Sequence, residues 1–368
     1  MVGGETIYQK LAKHIGALGM GLPYREELVE ILEANLTEAE AAVSLMLPNR
    51  VAPFTLMTAR EVAERAGTGL ESVQPLLEGL VEKCLLFDST TESGERGYAL
   101  HQAGFGFPQV FLWSGEITQH AARMAGLFAK YSSRLVTSEM FGASQTKPYR
   151  YAPPRDALPH DVETVYPYHT MDKVVAGARR FALAHCTCRV AARLLGKGCE
   201  HPLEVCMKFD TLADYVIEHG LGREISRDEA LEVIRTAEKA GLVHFVDNCE
   251  GEIVHNCNCC GHACWNVGSI RRRKIPRDLL MATYFLRQTL EEDCSGCGAC
   301  ADLCPVECVT MEDGLPVVDE EWCIGCGVCV HHCPEQAARL RVREDRDLDL
   351  PPDFHALHRQ ILQDKGLV

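Results

Sequence analysis

The chain has 368 residues, among them 19 cysteines and 15 histidines, and a formal net charge of −15. It is too long for a disulfide-stapled mini-domain, which ordinarily stays under about 100 residues, and at 46% hydrophobic residues it is too apolar for a disordered tail. No apolar run approaches the roughly 18–20 residues of a bilayer span, and Met1–Met20 has no apolar core of a secretory signal. The acidic balance argues against general affinity for nucleic acid or anionic membranes. The expected location is therefore the reducing cytoplasm, where so many thiols mean metal rather than disulfide. The length suits two or three domains.

Residues 1–146 hold a single cysteine, Cys84, and are expected to fold by ordinary core burial. Tyr24–Ala34 carries Leu28, Ile31 and Leu32 at helical spacing. Thr37-Glu-Ala-Glu40 and Thr58-Ala-Arg-Glu61 both show the capping-box pattern before apolar runs. Gly67-Thr-Gly69 then makes a turn into a helix over Leu70–Leu85, with Pro75 placed in its first turn. Leu86-Phe87, a polar turn at Ser89–Arg96 and Tyr98–Leu100 complete a wing. The pattern is winged-helix-like, but the second helix offers Glu71, Glu78 and Glu82 against one Lys83. A helix entering a DNA groove needs the opposite charge, so a protein-docking role is favoured over DNA binding.

Residues 147–168 read as a Pro- and Tyr-rich linker. A cysteine-rich, helical domain is expected over 169–276, a ferredoxin-like unit over 277–343, and a charged tail over 344–368. The overall class is α+β.

The last cysteine group is the most specific. Cys294, Cys297, Cys300 and Cys304 follow the spacing C-x2-C-x2-C-x3-C-P, and Cys323, Cys326, Cys329 and Cys333 repeat it. Two-residue gaps let three thiolates on one loop reach three corners of a cubane, while the fourth cysteine serves the other cluster. Cys294, Cys297, Cys300 and Cys333 are thus expected to hold one [4Fe–4S] cluster, and Cys323, Cys326, Cys329 and Cys304 the other. A hairpin is expected at Val309–Met311 and Leu315–Val318, and a strand at Ala338–Val342. Glu291–Arg343 closely resembles bacterial dicluster ferredoxins. Cys308 falls outside the pattern, as a packed or free thiol.

The middle cysteines are Cys186, Cys188, Cys199 and Cys206, then Cys257, Cys259, Cys260 and Cys264. C-x-C spacing and adjacent cysteines suit a cluster built from several loops better than a zinc finger. These eight are the candidate ligands of at least one further [4Fe–4S] cluster, and a second is an open alternative. Arg189, beside two thiolates, is placed to offset cluster charge. His262 is a candidate nitrogen ligand, and Cys249 is read as structural. A helix at Phe209–His219, a helix at Ala230–Ala240 capped by Ser226, and a strand at Leu242–Val246 separate the two groups.

Taken together, these elements resemble the cytoplasmic multi-cluster 4Fe-4S binding domain proteins of anaerobic bacteria and archaea. His262 and Ala263 stand where such proteins tend to carry cysteines. The resemblance implies electron transfer, often within an oxidoreductase complex. The leading reading is a relay of single electrons through the two ferredoxin-type clusters and a middle cluster to or from a partner oxidoreductase, such as a flavoprotein. The alternatives are an iron–sulfur enzyme with a substrate-binding middle cluster, or an iron–sulfur transcription regulator. A homo-oligomer is compatible with either. No phosphate loop, dinucleotide fingerprint, nucleophile elbow or zinc-protease motif is present to name a catalytic residue. The basic run Arg271–Arg277 is read either as a solvated linker or as a dock for an acidic redox partner.

Overall fold

The computed structural model describes residues 4–158, 162 and 167–368. Part of the expected linker, residues 159–161 and 163–166, lies outside the described residues. The chain divides into two compact units: Met1–Thr146 with Tyr215–Gly222 and His358–Val368, and Lys147–Asp214 with Arg223–Leu357. Among the described residues no helix is long and apolar enough to cross a membrane.

The first unit opens with α1 (Ile7–Gly16), α2 (Glu26–Glu33) and α3 (Glu38–Ser44). Strand β1 (Met57–Thr58), α4 (Ala59–Ala66), α5 (Leu70–Glu82) and the hairpin β2 (Leu86–Thr90) and β3 (Arg96–Leu100) follow. The three strands pair in the order β1-β3-β2. Both capping boxes form: Thr37 and Thr58 each accept an amide of the first turn, and Glu40 and Glu61 reach back to the cap amide. Pro75 sits in the second turn of α5 rather than the first. It faces solvent there, so the missing amide bond costs no burial. Helices α6 (Gln119–Tyr131) and α7 (Arg134–Gly142) complete the layer.

The expected charged tail is instead ordered as a helix, Phe354–Asp364. Asp364 accepts from Ser144 Oγ at 2.9 Å and the Thr146 amide at 2.7 Å, and Lys365 Nζ donates to the Gly19 carbonyl at 2.7 Å. Leu357, Ile361 and Leu362, spaced on one helical face, are buried.

The second unit is mixed helix and sheet. Its centre is a six-stranded sheet in the order β4-β8-β9-β6-β5-β7. The strands are β4 (Tyr149–Tyr151), β5 (Phe181–His185), β6 (Glu204–Phe209), β7 (Arg223–Glu224), β8 (Val243–Asp247) and β9 (His255–Cys259), all antiparallel to their neighbours. The helical expectation for this region is therefore corrected to a sheet flanked by helices, among them Thr187–Leu194 and Arg227–Lys239. Strand β9 reads His-Asn-Cys-Asn-Cys, an alternation of polar and thiol side chains that shows no apolar period. The linker reading is corrected as well over 147–158. Tyr149, Arg150 and Tyr151 are buried as an edge strand on β8, and the Arg150 guanidinium is bound by the carbonyls of Asp247, Cys249 and Tyr168.

The C-terminal part of this unit has two ladders. Strand β10 (Phe285–Thr289) pairs with β13 (Ala338–Val342), and β11 (Val309–Glu312) pairs with β12 (Leu315–Val318). Phe285, Leu340, Leu348 and Leu350 pack with Ala157 and Leu158 in one apolar cluster.

Candidate metal centres

Pairing of β10 with β13 brings the two C-terminal cysteine runs together. The structure gathers Cys294, Cys297, Cys300 and Cys333 around one cavity of about 360 Å³. A second cavity of about 320 Å³ is lined by Cys304, Cys323, Cys326 and Cys329, together with Cys308. In each group three thiols come from one run and the fourth from the other, as cross-ligation of paired clusters requires.

The backbone around both cavities suits anionic sulfur. Cys300 accepts the Ala301 amide, Cys304 those of Val306, Cys308 and Val309, Cys323 those of Arg287 and Gly325, and Cys326 that of Val328. Such loops need glycine where the chain turns closest. Gly325 has φ +59°, and a Cβ there would lie 2.1 Å from the Phe285 carbonyl oxygen. Gly296, at φ +70°, holds the matching place against the Gly314 carbonyl at 2.6 Å.

Burial pushes the Cys326 thiol well above its usual range and the Cys329 thiol up to about 12. Thiols held that way carry their protons unless a metal cation takes their place, and a coordinating thiol is deprotonated outright. The donor set, the amides and the cavities all fit a soft, thiolate-bound cluster.

Two residues beside these cavities carry no ligand spacing. Arg287, on β10, is buried and lines both cavities; its Nη2 is 3.6 Å from Cys300 Sγ and its Nη1 donates to Thr289. Cys308 is neither remote nor exposed. Its sulfur is 3.5 Å from Cys304 Sγ, and hydrogen bonds to Cys304 and Cys323 raise its own pKa while drawing Cys304 down to about 6 and Cys323 to about 7.

Much of the basic run is engaged with the neighbouring loops rather than free as a linker. Arg271 pairs with Glu307, and Arg273 donates to the Val306 and Glu307 carbonyls at 2.6 and 2.7 Å while lying over the Trp322 ring. Arg277 is buried and holds the carbonyls of Glu320 and Cys323. These cations tie down the loops that carry Cys304, Cys308 and Cys323. Arg272, Arg273 and Lys274 keep exposed surface, and Arg272 donates to the His262 carbonyl at 3.3 Å.

In the central sheet, β6 and β9 place Cys206 beside Cys257, and β9 carries Cys257 and Cys259 on one face because side chains alternate along a strand. Hydrogen bonds link the thiols as a string: Cys206 to Cys257, Cys257 to Cys259, Cys259 to Cys264, and Cys264 to Cys188. Sharing those protons raises the pKa of Cys206, Cys259 and Cys188 and lowers that of Cys257 and Cys264. Cys186 adjoins the group, and burial pushes its thiol up to about 11. Six of the eight middle cysteines thus converge. Cys199 and Cys260 form a separate pair, with their sulfurs 3.8 Å apart.

Buried cations accompany this group too. Arg189 is fully buried beside Cys186, Cys259 and Cys260, and its Nη1 donates to the Asn258 carbonyl at 3.1 Å. Lys208, also buried, places Nζ 3.1 Å from Cys206 Sγ. Arg189 was legible from its place in C-x-C-R; Lys208 and Arg287 lie on strands whose register alone brings them to the sulfurs. Cys249 donates to the Gly251 carbonyl at 3.2 Å, away from the string.

A family model described as a 4Fe-4S binding domain matches residues 288–310 and 316–339, one match on each C-terminal run. No curated protein and no solved structure matches the chain. The C-terminal segment is therefore an iron–sulfur binding domain of ferredoxin type, with the electron-transfer capacity that such a domain carries.

Proposed function

We propose that the chain is an iron–sulfur electron-transfer protein that passes single electrons between two ferredoxin-type [4Fe–4S] clusters and a further cluster in the central sheet, and exchanges them with a partner oxidoreductase. The observation that carries this reading is the pair of cysteine-lined cavities sharing Arg287, one with four thiols and one with five, in the same compact unit as a third, six-thiol group. Cys294, Cys297, Cys300 and Cys333 would hold one cluster, and Cys304, Cys323, Cys326 and Cys329 the second. Four of Cys186, Cys188, Cys206, Cys257, Cys259 and Cys264 would hold the third. The clusters supply one-electron chemistry when bound. The chain holds the sulfurs in register, aims amides at them, keeps Arg287, Arg189 and Lys208 as fixed positive charge, and excludes water by burial.

The first unit fits a docking module better than a DNA reader. Lys83 is paired with Glu40 at 2.6 Å and Arg96 with Asp88 at 2.6 Å, which leaves α5 and the β2–β3 hairpin with an acidic balance. A partner surface with basic character would complement it.

Anaerobic iron and sulfide analysis with EPR tests the proposal. About twelve irons per chain are expected from three [4Fe–4S] clusters, with spin–spin broadening in the reduced protein. A total of about eight irons would remove the central cluster, and fewer than that would remove the paired ferredoxin reading as well.

A further inference from the structure

Cys199 and Cys260, the two middle thiols outside the string, each belong to a C-x-H element: Cys199-Glu-His201 and Cys260-Gly-His262. They come from distant loops, one after the helix Thr187–Leu194 and one directly after β9, yet the fold brings the two elements against each other. One ring nitrogen of His201, one of His262 and the Cys260 sulfur lie within 4.8 Å of one another. The Cys199 sulfur is 3.8 Å from that of Cys260, and the two imidazole rings are 5.7 Å apart.

We propose that Cys199, His201, Cys260 and His262 form a mononuclear Cys2His2 metal site, separate from the iron–sulfur clusters and filled by zinc. A single tetrahedral ion with metal–sulfur bonds of about 2.3 Å and metal–nitrogen bonds of about 2.0–2.1 Å sets its donors roughly 3.3–3.8 Å apart. The observed sulfur–sulfur separation equals that edge; Cys260, His201 and His262, within 4.8 Å of one another, need to close by about an ångström, and Cys199, outside that triad, completes the set by a further movement of its loop. The sulfurs are already arranged as metal thiolates. The His201 amide donates to Cys199, and the Ala263 amide donates to Cys260 at 3.4 Å. Two thiolates and two neutral imidazoles are a donor set of closed structural zinc sites, in which the metal clamps loops and does no redox work. Here it would clasp the Gly196–Pro202 loop to the turn that leads from β9 into Cys264.

A binuclear iron–sulfur centre with the same four ligands would put the thiolates on one iron and the imidazoles on the other. That separates sulfur from nitrogen more widely than one ion does, and the common 4.8 Å span of Cys260, His201 and His262 favours the single ion.

The test is metal analysis of the full chain, purified anaerobically and supplied with zinc, alongside His201→Ala/His262→Ala and His262→Cys. The wild-type protein is expected to hold about one zinc per chain, the double variant none, and His262→Cys to retain it, since three thiolates and an imidazole also make a zinc site. Iron, acid-labile sulfide and the iron–sulfur EPR spectrum should stay the same in all three, which also shows that the chain remains folded. Cobalt in place of zinc should give visible ligand-field bands of a tetrahedral thiolate site that vanish in the double variant. The proposal is overturned if wild-type protein takes up no zinc, if the double variant keeps it, or if the variant loses two irons and two sulfides instead. None of these outcomes depends on the total of twelve irons, so the site and the relay can fail independently.

Discussion

Replacing Arg287 by Met removes one buried positive charge from between two thiol-lined cavities while nearly conserving side-chain length. Its guanidinium lies 3.6 Å from Cys300 Sγ and lines both cavities. At about 4 Å and an effective dielectric near 20, a unit charge on that sulfur would be stabilised by about 4 kcal/mol. An added electron is shared over the whole centre, so a third to two thirds of this is the expected effect, about 1.4–2.7 kcal/mol. At 59 mV per tenfold change for one electron, reduction potentials should fall by roughly 60–120 mV. The direction is fixed by sign alone, because the cation favours the more negative, reduced state. Arg287→Lys should recover part of the loss, since the charge returns without the planar fork. Potentiometric titration followed by EPR, on protein with unchanged iron content, measures this. Potentials that stay within about 20 mV of wild type would refute the electrostatic role, because the charge would then be screened as at an exposed site.

Three further outcomes follow from the packing. Gly325→Ala forces a Cβ onto the Phe285 carbonyl at a positive φ, so the second ferredoxin centre should fail to assemble and iron content should drop by about four per chain. Cys308→Ala should leave iron content unchanged, because four other cysteines surround the same cavity; a loss of iron would make Cys308 a ligand. The His219–Asp88 pair in the first unit sets a pH dependence. Hydrogen bonds donated by the imidazolium to Asp88 first and Cys84 second raise the His219 pKa from 6.5 to about 9, at a donor–acceptor distance of 2.8 Å to Asp88. Its stabilisation is complete below pH 6.5 and is lost as pH rises through about 9. The full shift corresponds to about 3 kcal/mol, and half-burial reduces this to about 1–2 kcal/mol. Urea unfolding at a series of pH values should therefore show a decline over that window, and His219→Gln should flatten it.

Parts of this architecture are legible in the residues, and the limits have physical causes. Capping boxes at Thr37 and Thr58, the Ser226 cap and the β11–β12 hairpin depend on short-range chemistry, and each forms where the pattern places it. The ferredoxin cysteines carry their own spacing, so the two runs could be read as a pair before any strand was known. The central sheet is different. Its strand β9 is made of His, Asn and Cys, although β6 beside it alternates Val205, Met207 and Phe209, and the polar side chains of β9 find polar partners: Asn258 Nδ2 donates to the Val205 carbonyl at 2.6 Å and to Asn256 Oδ1 at 2.9 Å. Such a buried polar ladder has no hydrophobic period to read. The division of the middle cysteines into six and two likewise depends on cross-strand register, and so does the arrival of His201 beside His262.

The buried cations explain why these loops can be packed so tightly around sulfur. Four thiolates at each site bring negative charge into an interior where an uncompensated ion costs several kcal/mol. The fold answers with Arg287 between the C-terminal cavities and with Arg189 and Lys208 in the central unit, each buried and each within reach of a cysteine sulfur. Arg287 and Arg189 face the cysteine sulfurs directly, and Lys208 is held between the Cys206 and Cys257 thiols with Asp247 adding to its field, so sulfur is a principal counter-charge for all three. Without metal, that balance is weakened, because buried thiols hold their protons and no longer present anionic sulfur to the cations. Folding of the second unit should therefore be coupled to metal loading, and the apo chain should lose its central sheet and C-terminal ladders before the thiol-poor first unit, whose core is apolar packing and holds no cysteine cluster.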